Sequence, residues 1–208
     1  LIEDKPNLNW RGMHLDCARQ FYTIDEIKRL MDYMCFFKLN RFHWHLTDNE
    51  AWRVELECYP NLTKVGAFRG YNHTIPPFYG TGYSKTGGYY SRSQIKELIE
   101  YARLRNIEIM PEIDLPAHSW TLLQLMPELS DSSSNIISED VGNYTNNTIN
   151  PAVEDTNIFL KNILEELSEI FSFNIIHVGV DERPKESWEG SPKVIEYMKK
   201  NNIASFDE

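Results

Sequence analysis

The chain has 208 residues, 41% of them hydrophobic, a composition that supports a packed core and argues against disorder. A formal net charge of −10 excludes the basic footprint of a nucleic-acid binder and disfavours adhesion to an anionic membrane, so the expected partner is a neutral or cationic small molecule. No apolar run reaches bilayer length, and Cys17, Cys35 and Cys58, an odd number without C-x-x-C spacing, suggest neither a disulfide framework nor a zinc site and are expected as buried thiols.

Residues 1–10 lack an initiator Met and any basic-then-apolar leader, and are expected to be a linker from a preceding segment. Met13 to Asp16 predicts a short strand. Thr23 to Glu26 is a capping box that opens a helix carrying Ile24, Ile27, Leu30, Met31 and Met34 on one face. Arg41 to Leu46 alternates Phe42, Trp44 and Leu46 with polar residues as a second strand, ending at Thr47 and Asp48. After a Gly, Pro and Tyr-rich insertion, Ser91 and Gln94 cap a second helix through Arg105, and Ile107 to Ile113 predicts a third strand stopping at Asp114.

A Ser, Asn and Thr-rich loop leads to a third amphipathic helix over Thr156 to Phe171. The run from Asn174 to Val180 then reads as a strand buried on both faces, ending at Asp181 and Glu182, and Pro192 after Ser191 starts a fourth helix. Strand and helix thus alternate four times, which predicts a parallel α/β sheet, either doubly wound or a (β/α)8 barrel. No G-x-G-x-x-G loop favours the doubly wound dinucleotide fold. Four units are half of a barrel, so the chain is expected to be a partial (β/α)8 catalytic domain over residues 1–208.

Each predicted strand stops at an acid: Asp16, Asp48, Asp114, and the pair Asp181 and Glu182. Such acids also serve as helix caps, but in a barrel every strand's carboxyl end faces one mouth, where residues distant in sequence converge. His118 follows Asp114 by four residues, close enough for a hydrogen bond that would fix its tautomer.

The blocks Arg11 to Arg19 (R-G-x-x-L-D-x-x-R), His43 to Asp48 (H-x-H-L-x-D), Pro111 to His118 (P-E-I-D-x-P-x-H) and His177 to Glu182 (H-V-G-x-D-E) resemble glycoside hydrolase family 20, the β-N-acetylhexosaminidases, and occur in that family's order. The resemblance implies an exo-acting, retaining glycosidase that removes terminal N-acetylglucosamine or N-acetylgalactosamine by substrate-assisted catalysis, without a cofactor or metal. It makes Glu182 the general acid and base and Asp181 the residue that holds the substrate's acetamido N–H. Arg11 would fork onto the hydroxyls of the non-reducing sugar, His118 and Asp48 would form a relay to Glu182, Asp114 would support them and His177 would line the site.

Asp16 and Arg19 are expected as a structural ion pair at the mouth. Trp44, Trp52, Trp120 and Trp188 are expected in core or loop packing. Such enzymes usually work outside the cytoplasm or in lysosome-like compartments.

The family usually has Gly-Gly before the Asp-Glu pair, and here the second is Val180, whose bulk bears on the fit of the acetamido group. Half a barrel is expected to have little hydrolase activity and to self-associate through exposed edges. Two rival readings follow from the same residues. One is a metal-dependent barrel hydrolase using His43 and His45, two imidazoles on one strand face, with His118 and Asp181 completing the set. The other is a non-catalytic sugar-binding module.

Overall fold

The computed structural model describes residues 1, 3–78, 82–134, 136–140 and 142–206. Four parallel strands form the central sheet: β1 (Gly12–Asp16), β2 (Arg41–His45), β3 (Glu108–Leu115) and β4 (His177–Gly179). They lie side by side in chain order. A doubly wound sheet would reverse direction at a switch point, whereas sequential order is how a barrel grows.

Helices α1 (Ile24–Phe36), α2 (Arg92–Arg103), α3 (Glu154–Ile170) and α4 (Pro192–Asn201) follow the four strands. The first two begin with complete capping boxes, Thr23 with Glu26 and Ser91 with Gln94. Their apolar stripes are buried: Ile27, Met31 and Met34 on α1, and Ile95, Leu98 and Ala102 on α2. On α3, Phe159, Ile163 and Leu167 pack on the same core as the sheet's outward residues Phe42, Trp44, Ile109 and Ile113.

Outward positions are therefore apolar, and the alternate, inward positions are mostly polar, with Met110 an exception: His14 and Asp16, His43 and His45, Glu112 and Asp114, and His177. The insertion between β2 and α2 folds over the strand ends and is tied down by Arg53, which is fully buried. Its guanidinium donates to the carbonyls of Cys17, Ala18, Ala67 and Gly88, joining the loop after β1 to the insertion. No helix among the described residues is long and apolar enough to cross a membrane.

Two expectations need correction. The run from Asn174 to Val180 is a strand only over His177–Gly179, and it is not covered on both faces: Ile175, Val178 and Val180 are exposed. It is the last strand of the sheet, so its outward side chains meet α3 on one flank only. Of the thiols, Cys17 is buried under Trp44, whose indole N–H donates to its sulfur, but Cys35 and Cys58 are exposed. The tryptophans divide as packing residues. Trp44 and Trp52 are core, Trp120 packs edge-on against Phe78 and at a tilt against Tyr144, and Trp188 lies against Arg183.

Candidate active site

The carboxyl ends of the strands place Asp16, Asp48, Asp114, Asp181 and Glu182 at one mouth. Asp48 is the centre of the arrangement, with a fully buried side chain. It sits in a tight antiparallel ribbon just beyond β2, Thr47–Asp48 paired with Ala51–Trp52, and this ribbon folds it back over the strand ends. Its Oδ1 accepts from His118 Nδ1 at 3.1 Å, and its Oδ2 accepts from His45 Nε2 at 2.8 Å and from Arg19 Nη1 at 2.8 Å. Burial alone would raise this carboxyl, but the two imidazoles and the guanidinium outweigh it and hold Asp48 well below the usual carboxylate range.

His118 is presented by the loop after β3, with its backbone in the left-handed region at φ 52°. The loop is bolted to the ribbon: Trp120 N–H donates to the Asn49 side chain, and Thr121 Oγ1 donates to the Asn49 carbonyl. The hydrogen bond to Asp48 is the main reason that His118 is raised to about 9, against burial that would lower it, and the neighbouring acids Asp114 and Asp181 add to the rise. His118 is therefore an imidazolium at neutral pH. Its Nε2 points away from Asp48 and lies 3.3 Å from Glu182 Oε2 and 3.9 Å from Asp181 Oδ2. Asp48, His118 and Glu182 form one continuous line.

Asp181 and Glu182 lie one residue beyond β4 and are more than half exposed, open to a ligand. Val180, just before them, has φ 72°, a left-handed conformation that a β-branched residue adopts only under strain. Its side chain is 67% exposed and shares an apolar groove with Val178, Ile113, Leu115 and Trp188, on the outer side of the sheet. The bulk at position 180 thus points away from the carboxylates. Gly179 faces inward at φ 67°, where a Cβ would fall 1.8 Å from Asp114 Oδ1; only glycine leaves room for that carboxyl.

Asp114 is buried, and its Oδ1 has no hydrogen-bond partner among the described residues. Burial raises it to about 8, with help from Asp181 and Asp48 and against the pull of His118. It is a neutral carboxylic acid at neutral pH. The expected hydrogen bond from His118 to Asp114 does not form, because the loop swings the imidazole across to Asp48.

Arg11 is a further correction. It precedes β1, at the amino end of the strands, and its guanidinium is engaged by the carbonyls of Leu8, Asn9 and Lys38. Four strand steps of about 3.3 Å separate Gly12 from Asp16, so Arg11 is at the opposite end of the sheet from the acids, roughly 15 Å away. The arginine at the mouth is Arg19. It bridges Asp16 at 3.0 Å, Asp48 at 2.8 Å and Glu50 at 3.3 Å, with a side chain that is 40% exposed. Glu50 is held in turn by the Tyr144 hydroxyl at 3.0 Å. The expected Asp16–Arg19 pair is present, but as part of this larger set. Position relative to β1 was the available signal for Arg19: a residue after a barrel strand reaches the mouth, and one before it cannot.

Beneath the mouth, His45 is clamped between Asp48 and Glu112, with Nδ1 2.7 Å from Glu112 Oε2. Burial works against its charge, yet the two carboxylates raise it to about 10. His177 also faces Glu112, 3.0 Å from Oε1, one layer below the exposed pair. The ligand set His43, His45, His118 and Asp181 does not converge: His43 and His45 gather on Glu112, whereas His118 gathers with Asp181 and Glu182.

A family model for glycosyl hydrolase family 20, catalytic domain, matches residues 8–208. The chain is 41% identical over 194 residues to a beta-hexosaminidase of Vibrio furnissii, covering 93% of this chain and 32% of that protein. It is 34% identical over 206 residues to a chitooligosaccharidolytic beta-N-acetylglucosaminidase of Bombyx mori, covering 96% and 31%. Among solved structures, it superposes on a family 20 exo beta-N-acetylglucosaminidase from Vibrio harveyi, in complex with N-acetylglucosamine, with a TM-score of 0.95 at 38% identity, covering 98% of this chain and 32% of that one. The chain therefore spans about a third of the length of the relatives that it matches.

Proposed function

The chain belongs to glycosyl hydrolase family 20, and from that membership we propose that it supplies the acid-bearing part of an exo-acting, retaining β-N-acetylhexosaminidase. Catalytic domains of this family are (β/α)8 barrels, and the four-stranded parallel sheet fits part of one. The observation that carries the proposal is the line from Asp48 through His118 to Glu182, a hydrogen bond of 3.1 Å followed by an ion-pair contact of 3.3 Å.

In the proposed reaction the acetamido oxygen of a terminal N-acetylhexosamine attacks its own anomeric carbon as the glycosidic bond breaks. Glu182 delivers its proton to the departing oxygen. Asp181 accepts a hydrogen bond from the acetamido N–H and balances the positive charge of the oxazolinium ion. Glu182, now a carboxylate, takes a proton from the water that opens this ring, and the configuration is retained. His118, held charged by Asp48, orients Glu182 and stabilises its anionic form between the two steps. Arg19 takes the hydroxyl-binding role, because its partly exposed guanidinium carries donors in a fixed fork and is positioned by three carboxylates.

A chimera tests this reading: the matching third of the Vibrio harveyi enzyme is replaced by this chain. We expect release of 4-nitrophenol from 4-nitrophenyl N-acetyl-β-glucosaminide, the galactosamine analogue being assayed in parallel. Glu182→Gln should lower kcat by about 10²–10⁴ while N-acetylglucosamine still binds. Turnover unchanged by that substitution would overturn the assignment, and sugar binding without turnover in the unsubstituted chimera would favour a binding module. The 208-residue chain alone should turn over little, since it supplies four strand ends to the mouth. Its two sheet edges, β1 and β4, should make it self-associate, which light scattering would register as a mass that rises with concentration.

A further inference from the structure

The proposed hydrolysis makes no use of the imidazole cluster on the inner face of the sheet. His14 on β1, His43 and His45 on β2 and His177 on β4 surround the single carboxylate of Glu112 on β3. The rings crowd one another, with centroids 4.7 Å apart for His14 and His43 and 4.7 Å for His43 and His177. Three of these imidazoles, His14, His43 and His45, crowd the one oxygen Oε2, whereas the His177 nitrogen near Oε1 accepts the Gly179 N–H. Glu112 Oε2 makes its hydrogen bond with His45 Nδ1 at 2.7 Å. His43 Nε2 is equally near the same oxygen, at 2.7 Å, yet it is buried and has no hydrogen-bond partner among the described residues. His14 Nε2 lies 3.8 Å from that oxygen, on the far side of His43.

We propose that His14 Nε2, His43 Nε2 and Glu112 Oε2 form a binding site for a divalent transition-metal ion of the zinc class. The three atoms lie within 4.8 Å of one another. Zinc bonds of about 2.0–2.1 Å at a tetrahedral angle require ligand atoms roughly 3.3 Å apart. The two separations from Glu112, 2.7 and 3.8 Å, lie on either side of that value, so small side-chain rotations close the site. Two imidazoles and one carboxylate select zinc and its neighbours over calcium or magnesium, which prefer all-oxygen shells. Three protein ligands leave the fourth position of a tetrahedral ion to water. His45 is excluded as a ligand because both of its nitrogens are already held, by Asp48 and Glu112.

Such an ion is separate from the proposed hydrolysis and would link β1, β2 and β3. It contributes stability by binding only the folded state. A second group, His118 with Asp181 and Glu182, could also draw a metal, so the test must separate the two.

Zinc chloride is titrated into the chain by calorimetry, and binding is compared among wild type, His14→Gln, the double variant His14→Gln with His43→Gln, and the double variant Asp181→Asn with Glu182→Gln. We expect one zinc per chain, affinity at least tenfold weaker in His14→Gln, no measurable binding in the histidine double variant, and affinity within twofold of wild type when the exposed acids are changed. Zinc should raise the midpoint of thermal unfolding in wild type and not in the histidine double variant. His14 is half-exposed, so the single variant decides the matter if His43→Gln impairs folding. The proposal is overturned by the absence of saturable binding, by binding that survives in both histidine variants, or by binding lost with the Asp181 and Glu182 changes.

Discussion

Replacing Asp48 by Asn keeps the shape of the buried carboxylate and removes its charge, which tests how far one residue organises the mouth. The amide keeps one acceptor oxygen and presents an N–H₂ in place of the other, so it cannot accept from His118 on one side and from His45 and Arg19 on the other. His118 is raised from 6.5 to about 9 chiefly by its bond to Asp48. A group raised on folding contributes stability that is fully present below its unfolded value and lost as pH rises through its folded one. For His118 that contribution is roughly 3 kcal/mol at pH 5.5, about 2.5 kcal/mol at pH 7 and near zero by pH 9.5. His45 keeps Glu112, and Arg19 keeps Asp16 and Glu50, so these partners add a smaller loss with little dependence on pH below about 9.

Urea denaturation of the 208-residue chain should therefore show Asp48→Asn destabilised at pH 6 to 7 by about 3 kcal/mol or more, and the gap should narrow by roughly 2 kcal/mol by pH 9.5. NMR titration of the His118 ring should show it falling back toward 6.5 in the variant. A gap that stays constant with pH, or a His118 that still titrates near 9, would refute the reasoning.

Asp114 gives an effect of opposite sense. The folded chain keeps this acid protonated up to about pH 8 while the unfolded chain ionises it near 3.8, so wild type loses stability as pH rises between those values. Asp114→Asn, neutral throughout, should gain on wild type by about 2 kcal/mol or more between pH 4 and pH 8.5 in urea melts, and an unchanged difference would refute the assignment. At position 180, glycine adopts φ 72° freely, and the exposed valine side chain gives up little burial. Val180→Gly should therefore stabilise the chain by about 1 kcal/mol, the relieved strain exceeding the entropy added to the unfolded state; a destabilised variant would show that the valine is not strained.

Much of the fold was legible along the chain because it is written in short-range patterns. Thr23 with Glu26 and Ser91 with Gln94 start helices through contacts three residues apart. The spacing of Ile95, Leu98 and Ala102 buries one helical face. The strand from Asn174 was misjudged because hydropathy reports what a segment could bury, while its exposure depends on neighbours that the segment does not contain.

The candidate site divides along the same line. Position beyond a strand brought Asp48, Asp114, His118, Asp181 and Glu182 to one mouth in the sequence reading, and strand polarity could also have separated Arg19 from Arg11. Partner choice could not be read from position or spacing: the family resemblance paired His118 with Asp48, 70 residues away, while spacing suggested Asp114 four residues before it, and the outcome depends on how two loops meet through Asn49. The gathering of His14, His43, His45 and His177 on Glu112 likewise depends on the register of four strands. The sequence by itself determined which residues reach which end of the sheet, because that follows from local periodicity and chain direction. Only the tertiary structure decided which of them touch, because side-chain pairing is set by strand register and loop packing, and these bring together groups that have no fixed spacing along the chain.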